Sequence, residues 1–233
     1  MKNNAVAIIT ARGGSKRIPR KNIKNFLGFP IIKYSIDAAL ESGCFDEVMV
    51  STDDKEIADI ALGCGARVPF YRSLLASDDY ASSADVIGEV LATYKKLGKK
   101  FDFFCCIYPT APFITAEVLR EAREKILQNH TDSVFPVVRF DYPIQRALKI
   151  EDGFIQMVWP ENLHKRSQDL TPSYHDAGQF YYMRTDSFLR QNKLFGEKSV
   201  GLIRSELSVQ DIDNEDDWAV AELKYQALKN NRV

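Results

Sequence analysis

Five basic residues fall within ten positions of the stretch IITARGGSKRIPRKN: Arg12, Lys16, Arg17, Arg20 and Lys21, with Gly13, Gly14 and Pro19 among them. Backbone N–H groups on a glycine-containing loop converge readily on an anion, and a helix start nearby adds partial positive charge. Arginine and lysine contribute charge-assisted hydrogen bonds to phosphate oxygens. The glycine pair permits close approach of the backbone, and the proline stiffens the middle. Together these residues read as a polyphosphate cradle. The stretch is neither a Walker loop nor the dinucleotide fingerprint, because G-x-x-x-x-G-K-[ST] and G-x-G-x-x-G are both missing. For any single basic residue, a solvated surface position is the plain alternative. Five in ten, directly after an apolar run, argue against that reading for the set. These residues alone stop at a phosphate-rich ligand, a nucleotide by preference.

A second chemical signal lies far along the chain, in QDID, which carries Asp211 and Asp213. On a strand, alternate positions share one face, so the two carboxylates are expected together. Two hard oxygen ligands plus triphosphate oxygens make a Mg²⁺ site. The competing reading is an acidic cap on a following helix, since Asn214, Glu215, Asp216 and Asp217 come next. We assign those later residues to the cap, and Asp211 and Asp213 to the metal, with Asp213 a candidate for an outer position.

The elements that must hold these groups follow from hydrophobic spacing. Short apolar runs at 5–9, 47–52, 101–108 and 132–138 read as buried strands, and helical spacing occurs at 30–42, 54–65, 83–98 and 115–129. Strand–helix alternation of this kind predicts parallel β-α-β units in a sheet covered on both faces. Ligands of such sheets bind beyond the carboxyl ends of the strands, which is where the basic loop begins. From about 139 to 175 the sequence turns aromatic, polar and proline-broken, and reads as a β-rich inserted lobe of a single domain spanning 1–233. The pattern then resumes with strands at 178–184 and 199–204 and a last helix at about 214–230.

The chain has 233 residues, 45% hydrophobic and 27% charged, with a formal net charge of −1. That balance fits a soluble globular domain and provides no global field to recruit nucleic acid. No apolar segment is long enough to span a membrane, and no secretory leader is evident, so a cytoplasmic protein is expected. The four cysteines, Cys44, Cys64, Cys105 and Cys106, show no metal-ligand spacing and read as small core residues. His130 reads as a surface residue.

The motif ARGGSKRIPRKNI resembles the signature loop of the CMP-sialic acid synthetase family of sugar-activating cytidylyltransferases. VSTDDKEIADIALGCGA, ASDDYASS, PTAPF and QDID follow in the family's order over nearly the whole chain. VPFYR, CCIYPTAPF, DYPIQRAL and YHDAGQFY are more similar to the branch acting on pseudaminic acid, a bacterial nine-carbon diamino keto-sugar. Tyr108-Pro109-Thr110 stands where the sialic acid enzymes resemble one another in QPTSP, and Asp176-Ala177-Gly178 where they carry an asparagine–glycine pair. Both departures point away from a sialic acid and from base recognition by a glutamine side chain.

The resemblance implies a Rossmann-like three-layer α/β/α nucleotidyltransferase fold with a mostly parallel sheet, a small dimerisation lobe and a homodimer. It implies CTP and a nine-carbon 2-keto sugar acid as substrates, with CMP-sugar and pyrophosphate as products. It carries phosphate contact and catalysis onto Arg12 and Lys21, with Lys16 and Arg20 as weaker candidates. Asn22 is expected at the ribose or base, and Ala11, Gly13, Arg72, Ser83 and Tyr108 around the nucleotide. Asp211 joins the catalytic set, with Mg²⁺ as cofactor. The sugar is expected against Arg166, Gln168, His175, Asp176 and Gln179. Arg166 is the candidate for the acid's carboxylate, and His175 for a base or a hydrogen-bond donor. Synthetases of sialic, legionaminic or 3-deoxy-manno-octulosonic acid, and a non-catalytic nucleotide-binding protein, are the rival readings.

Overall fold

The computed structural model describes residues 4–78, 81–128 and 131–230. The first apolar run forms β1 (Ala5–Thr10), and the basic loop follows it. A two-residue pair, β2 (Asn25–Phe26) and β3 (Phe29–Pro30), then leads into α1 (Ile31–Ser42). Next come β4 (Glu47–Ser51), α2 (Lys55–Gly63), α3 (Ser83–Lys96), β5 (Phe103–Ile107), α4 (Ala116–Leu127) and β6 (Ser133–Arg139). Local chemistry sets these boundaries. Asp54 caps α2 by accepting from the Ile57 N–H, Ser82 and Asp85 form a capping box on α3, and Thr115 caps α4 through the Val118 N–H.

After β6 the chain leaves the sheet and forms an antiparallel hairpin, β7 (Leu148–Glu151) and β8 (Phe154–Met157), with short 3₁₀ turns around it. Asp152 and Gly153 both have positive φ at the hairpin tip, which is the backbone an Asp-Gly turn supplies. The chain returns as β9 (Tyr174–Asp176), paired antiparallel with the end of β6 through Arg139 and Tyr174. Then follow β10 (Phe180–Arg184), α5 (Thr185–Gln191), β11 (Ser199–Arg204) and α6 (Glu215–Asn230).

The main sheet runs in the order β11-β6-β10-β5-β1-β4, with β9 added against β6. β4, β1, β5, β6 and β11 point one way, and β10 alone along this path is reversed. Alternate residues of β1 feed two cores. Ala5, Ala7 and Ile9 pack with α1, α2 and α4, while Val6 and Ile8 pack with α3 and α5. The sheet is therefore the middle of three layers. Thr10 pairs with Ser51, and Ile9 with Ile107, so the carboxyl ends of β4, β1 and β5 are level and their loops converge. The chain turns to opposite sides of β1 to reach β4 and β5, which makes their shared end the switch point where such sheets bind ligands.

Two features depart from the sequence reading. The short helix α5 was not expected, because its seven residues hold too little apolar spacing to register. Gln210–Asp213 were expected to form a strand, but among the described residues they pair with no strand. Packing holds them instead. Ile212 is fully buried with Ile18 of the basic loop, Phe26 of β2 and Trp218 of α6, with Asp211 and Asp213 on either side of it. His130 lies outside the described residues.

Candidate active site

A cleft of about 530 Å³ opens at the carboxyl ends of β1 and β5. The basic loop supplies Arg12, Lys16, Arg17, Lys21 and Asn22 to its wall; Arg72, Ser83 and Tyr108 close the other sides. Six of the expected nucleotide residues are thus brought together from four chain segments. Ala11 and Gly13 sit in the loop backbone behind them, Ala11 fully buried.

The loop is tied at many points. The Asn22 Nδ2 donates to the Arg12 carbonyl at 2.8 Å, joining the loop's end to its beginning. Arg12 donates to the Asp78 carbonyl at 3.0 Å. Lys21 donates to the Ile212 carbonyl at 2.5 Å and lies 3.9 Å from the Asp213 carboxylate. Burial lowers the Lys21 pKa, and Asp213 and Asp211 oppose that shift. Arg72 is buried, donating to the Ser51 hydroxyl and carbonyl at 3.1 and 2.6 Å; burial lowers its pKa against the pull of Asp53 and Glu89. Burial raises the Tyr108 phenol, whose oxygen lies 3.5 Å from the Ser83 hydroxyl. The cleft therefore holds several cations, two of them partly stripped of water, a setting that favours a polyanion.

Gly14 meets nothing within 4 Å, whereas Gly13 approaches a protein carboxylate. A Cβ at Gly13 would lie 2.8 Å from the Asp54 Oδ2, so the close approach is to the β4–α2 loop. Arg20 was a candidate phosphate ligand, yet it is absent from the cleft wall and is paired with Asp54 and Glu56.

Asp211 and Asp213 flank Ile212 beside Lys21. Burial and the neighbouring Asp213 carboxylate raise the Asp211 carboxyl, while Lys21 opposes the shift. Arg17 pairs with Asp213 at 2.8 Å. Sequence reasoning counted Arg17 among the cations but gave it no role; its signal was only membership of the cluster. Among the described residues no three acidic, histidine or cysteine side chains gather as a ready-made metal site. Two mutually repelling carboxylates near a phosphate cradle do suit a hard divalent cation that completes its shell with substrate oxygens and water.

The expected sugar residues are dispersed. Arg166 pairs with Asp169 in its own 3₁₀ turn at 2.8 Å and is exposed, as is Gln168. Gln179 is buried, with its amide donating to the Ser208 carbonyl at 2.9 Å, so it is a structural tie. His175 packs on Phe140 with ring centres 4.9 Å apart, and lines a separate hollow with Phe135, Tyr174 and Phe195. Asp176 borders that hollow too, accepting from the Gly178 N–H and the Tyr181 hydroxyl. Tyr181 in turn meets Tyr108 edge-on at 6.0 Å, which links hollow to cleft. No helix among the described residues is long and apolar enough to cross a membrane.

Similarity to known proteins points to one family. A family model described as "Cytidylyltransferase" matches residues 6–221. A pseudaminic acid cytidylyltransferase of Campylobacter jejuni is 44% identical over 227 residues, 97% of each chain. N-acylneuraminate cytidylyltransferase A of Danio rerio is 39% identical over 220 residues, 93% of this chain and 49% of its own. Among solved structures, a CMP:2-keto-3-deoxy-manno-octonic acid synthetase complexed with CTP aligns with a TM-score of 0.68 at 16% identity, covering 99% of this chain and 100% of that one. At that identity the likeness speaks for the fold alone.

Proposed function

This chain belongs to the cytidylyltransferase family, and we propose that it activates pseudaminic acid with CTP, releasing CMP-pseudaminic acid and pyrophosphate. The observation that carries the reading is the cationic cleft at the switch point, combined with full-length similarity to a pseudaminic acid enzyme. In the reaction the sugar's anomeric hydroxyl attacks the α-phosphorus of CTP. The new P–O bond forms as the α-phosphorus bond to the bridging oxygen of the β-phosphate breaks; the hydroxyl proton passes to water and pyrophosphate carries the electron pair away.

Such transfers are catalysed mainly by positioning and by charge stabilisation. Arg12 and Lys21 face the triphosphate, with Lys16 and Arg17 beside them. Partial desolvation strengthens the pull of Lys21 on developing negative charge. Arg72, Ser83, Asn22 and Tyr108 enclose the nucleoside side. Tyr108 takes the place a glutamine holds in the sialic acid pattern, and offers a phenol where an amide would read the base. Asp211 and Asp213 would hold Mg²⁺, which supplies charge neutralisation for the triphosphate. The hollow around His175, Tyr174 and Asp176 is the sugar side.

The inserted hairpin leaves Ile150 74% and Phe154 72% exposed, with Leu148 and Ile155 beside them also exposed. Apolar clusters of this kind mark protein contact surfaces, and we assign them to the interface of a homodimer. Mixing the protein with CTP, Mg²⁺ and pseudaminic acid should yield CMP-sugar and pyrophosphate in equal amounts by mass spectrometry and coupled phosphate assay. Absence of both products with every keto-sugar acid tried would refute the enzyme reading.

A further inference from the structure

Among the cations of the basic loop, Arg20 is held by two acidic residues of a neighbouring segment. Its guanidinium grips Asp54 through two bonds, Nη1 to Oδ2 at 2.5 Å and Nη2 to Oδ1 at 2.9 Å, and reaches Glu56 at 2.5 Å. Its backbone is left-handed, with φ 56° and ψ 29°, a conformation that side-chain-bearing residues seldom adopt. That turn starts the 3₁₀ segment Lys21–Ile23, and the Arg20 carbonyl accepts from the Ile23 and Lys24 N–H groups at 3.0 Å each. The residues presented next, Lys21 and Asn22, both line the cleft.

The other end of the loop is held by the same neighbour. The Gly13 N–H donates to Asp53 Oδ1 at 3.0 Å, and a Cβ at Gly13 would lie 2.8 Å from Asp54 Oδ2, so a larger residue there would have to displace that carboxylate. Asp54 also caps α2 through the Ile57 N–H. The β4–α2 loop thus touches the start of the basic loop with one carboxylate and its end with another, from outside the cleft.

We propose that Arg20 and Asp54 are a positioning pair, with Asp53 and Glu56 as supports, that sets the basic loop in its triphosphate-binding shape before the nucleotide arrives. Arg20 does not touch phosphate; it places Lys21 and Asn22. This rests on the reading of the cleft as a CTP site. Preorganisation of this kind matters because displacement of a binding group by about 1 Å can lower a rate by about a hundredfold.

Two variants separate positioning from simpler roles, with CTP binding measured by calorimetry and folding by thermal denaturation. Glycine adopts positive φ without strain, so Arg20→Gly keeps the turn while removing the side chain that carries the guanidinium. Asparagine caps helices as well as aspartate, so Asp54→Asn keeps α2 capped while weakening the grip. The pair predicts that both variants stay folded and bind CTP about tenfold or more weakly, with partial recovery in Arg20→Lys. Asp54→Asn is the sharper case, because removing a negative charge near an anion site would by itself tighten CTP. Wild-type CTP affinity in Arg20→Gly, or tighter binding in Asp54→Asn, overturns the proposal. Pyrophosphate release by the wild-type protein judges the catalytic reading separately, since the positioning pair is judged on CTP binding alone.

Discussion

Asp211 shows at the residue scale how function and stability pull apart. Its carboxyl is raised by burial and by Asp213, so ionisation of this group works against the folded state in the free protein. Asp211→Asn should therefore leave the melting temperature equal or higher. It should also lower kcat by about a hundredfold, the scale of losing one charge-stabilising group, and raise the Mg²⁺ concentration needed for half-maximal rate. Near-normal turnover at limiting Mg²⁺ would remove Asp211 from the metal assignment. The residue types in the basic loop and in QDID were legible in the sequence because charge density and spacing survive without coordinates. What each side chain meets was not. Arg20 pairs with a residue 34 positions away, Gln179 is buried against a carbonyl 29 positions away, and Arg166 turns to Asp169 three residues on. A polar residue's role is decided by its nearest partner in space, and only the last of these three was adjacent enough to foresee.

At the scale of elements, the strands and most helices followed from apolar periodicity, because burial on one face or both faces imposes it. The reversal of β10 and the presence of α5 did not follow, since strand direction is set by connection length and α5 is too short to show a period. One tie between elements explains how the sheet's back edge is fastened. Glu47 begins β4 and is nearly buried; it accepts from the Tyr94 hydroxyl of α3 at 2.5 Å and from Lys99 at 2.7 Å. Burial alone would raise the Glu47 carboxyl, and the bonds from Lys99 and Tyr94 more than reverse that, lowering it. A lowered carboxylate contributes stability above its unfolded value and loses it as pH falls through its folded value. Glu47→Gln should cost about 1–3 kcal/mol near neutral pH, a drop of roughly 3–10 °C in melting temperature. The gap from wild type should narrow as the pH falls below the ordinary glutamate range. A gap that is constant with pH would mean that packing, and not charge, holds this corner.

Across the whole molecule, the sheet's switch point and the distant Ile212 segment are joined by one small core. Ile18, Phe26, Ile212 and Trp218 pack together, so the last helix holds the acidic pair against the basic loop. The lobe is the part left without such a partner: its hairpin exposes the apolar residues of β7 and β8. If a second copy covers them, Ile150→Asp with Phe154→Asp should convert a dimer to a monomer in sedimentation while β1–β6 stay folded; an unchanged sedimentation coefficient would place any interface elsewhere. The proposed sugar side is the hollow around His175, apart from the cleft, so the nucleotide site alone leaves the sugar's identity open. The most direct test is kcat/KM for pyrophosphate release from CTP and Mg²⁺, compared between pseudaminic acid and N-acetylneuraminic acid at equal concentrations. The account predicts turnover with pseudaminic acid and a value at least about a hundredfold lower with N-acetylneuraminic acid, the discrimination available to a site with polar groups matched to one sugar. Equal or greater efficiency with N-acetylneuraminic acid would contradict it.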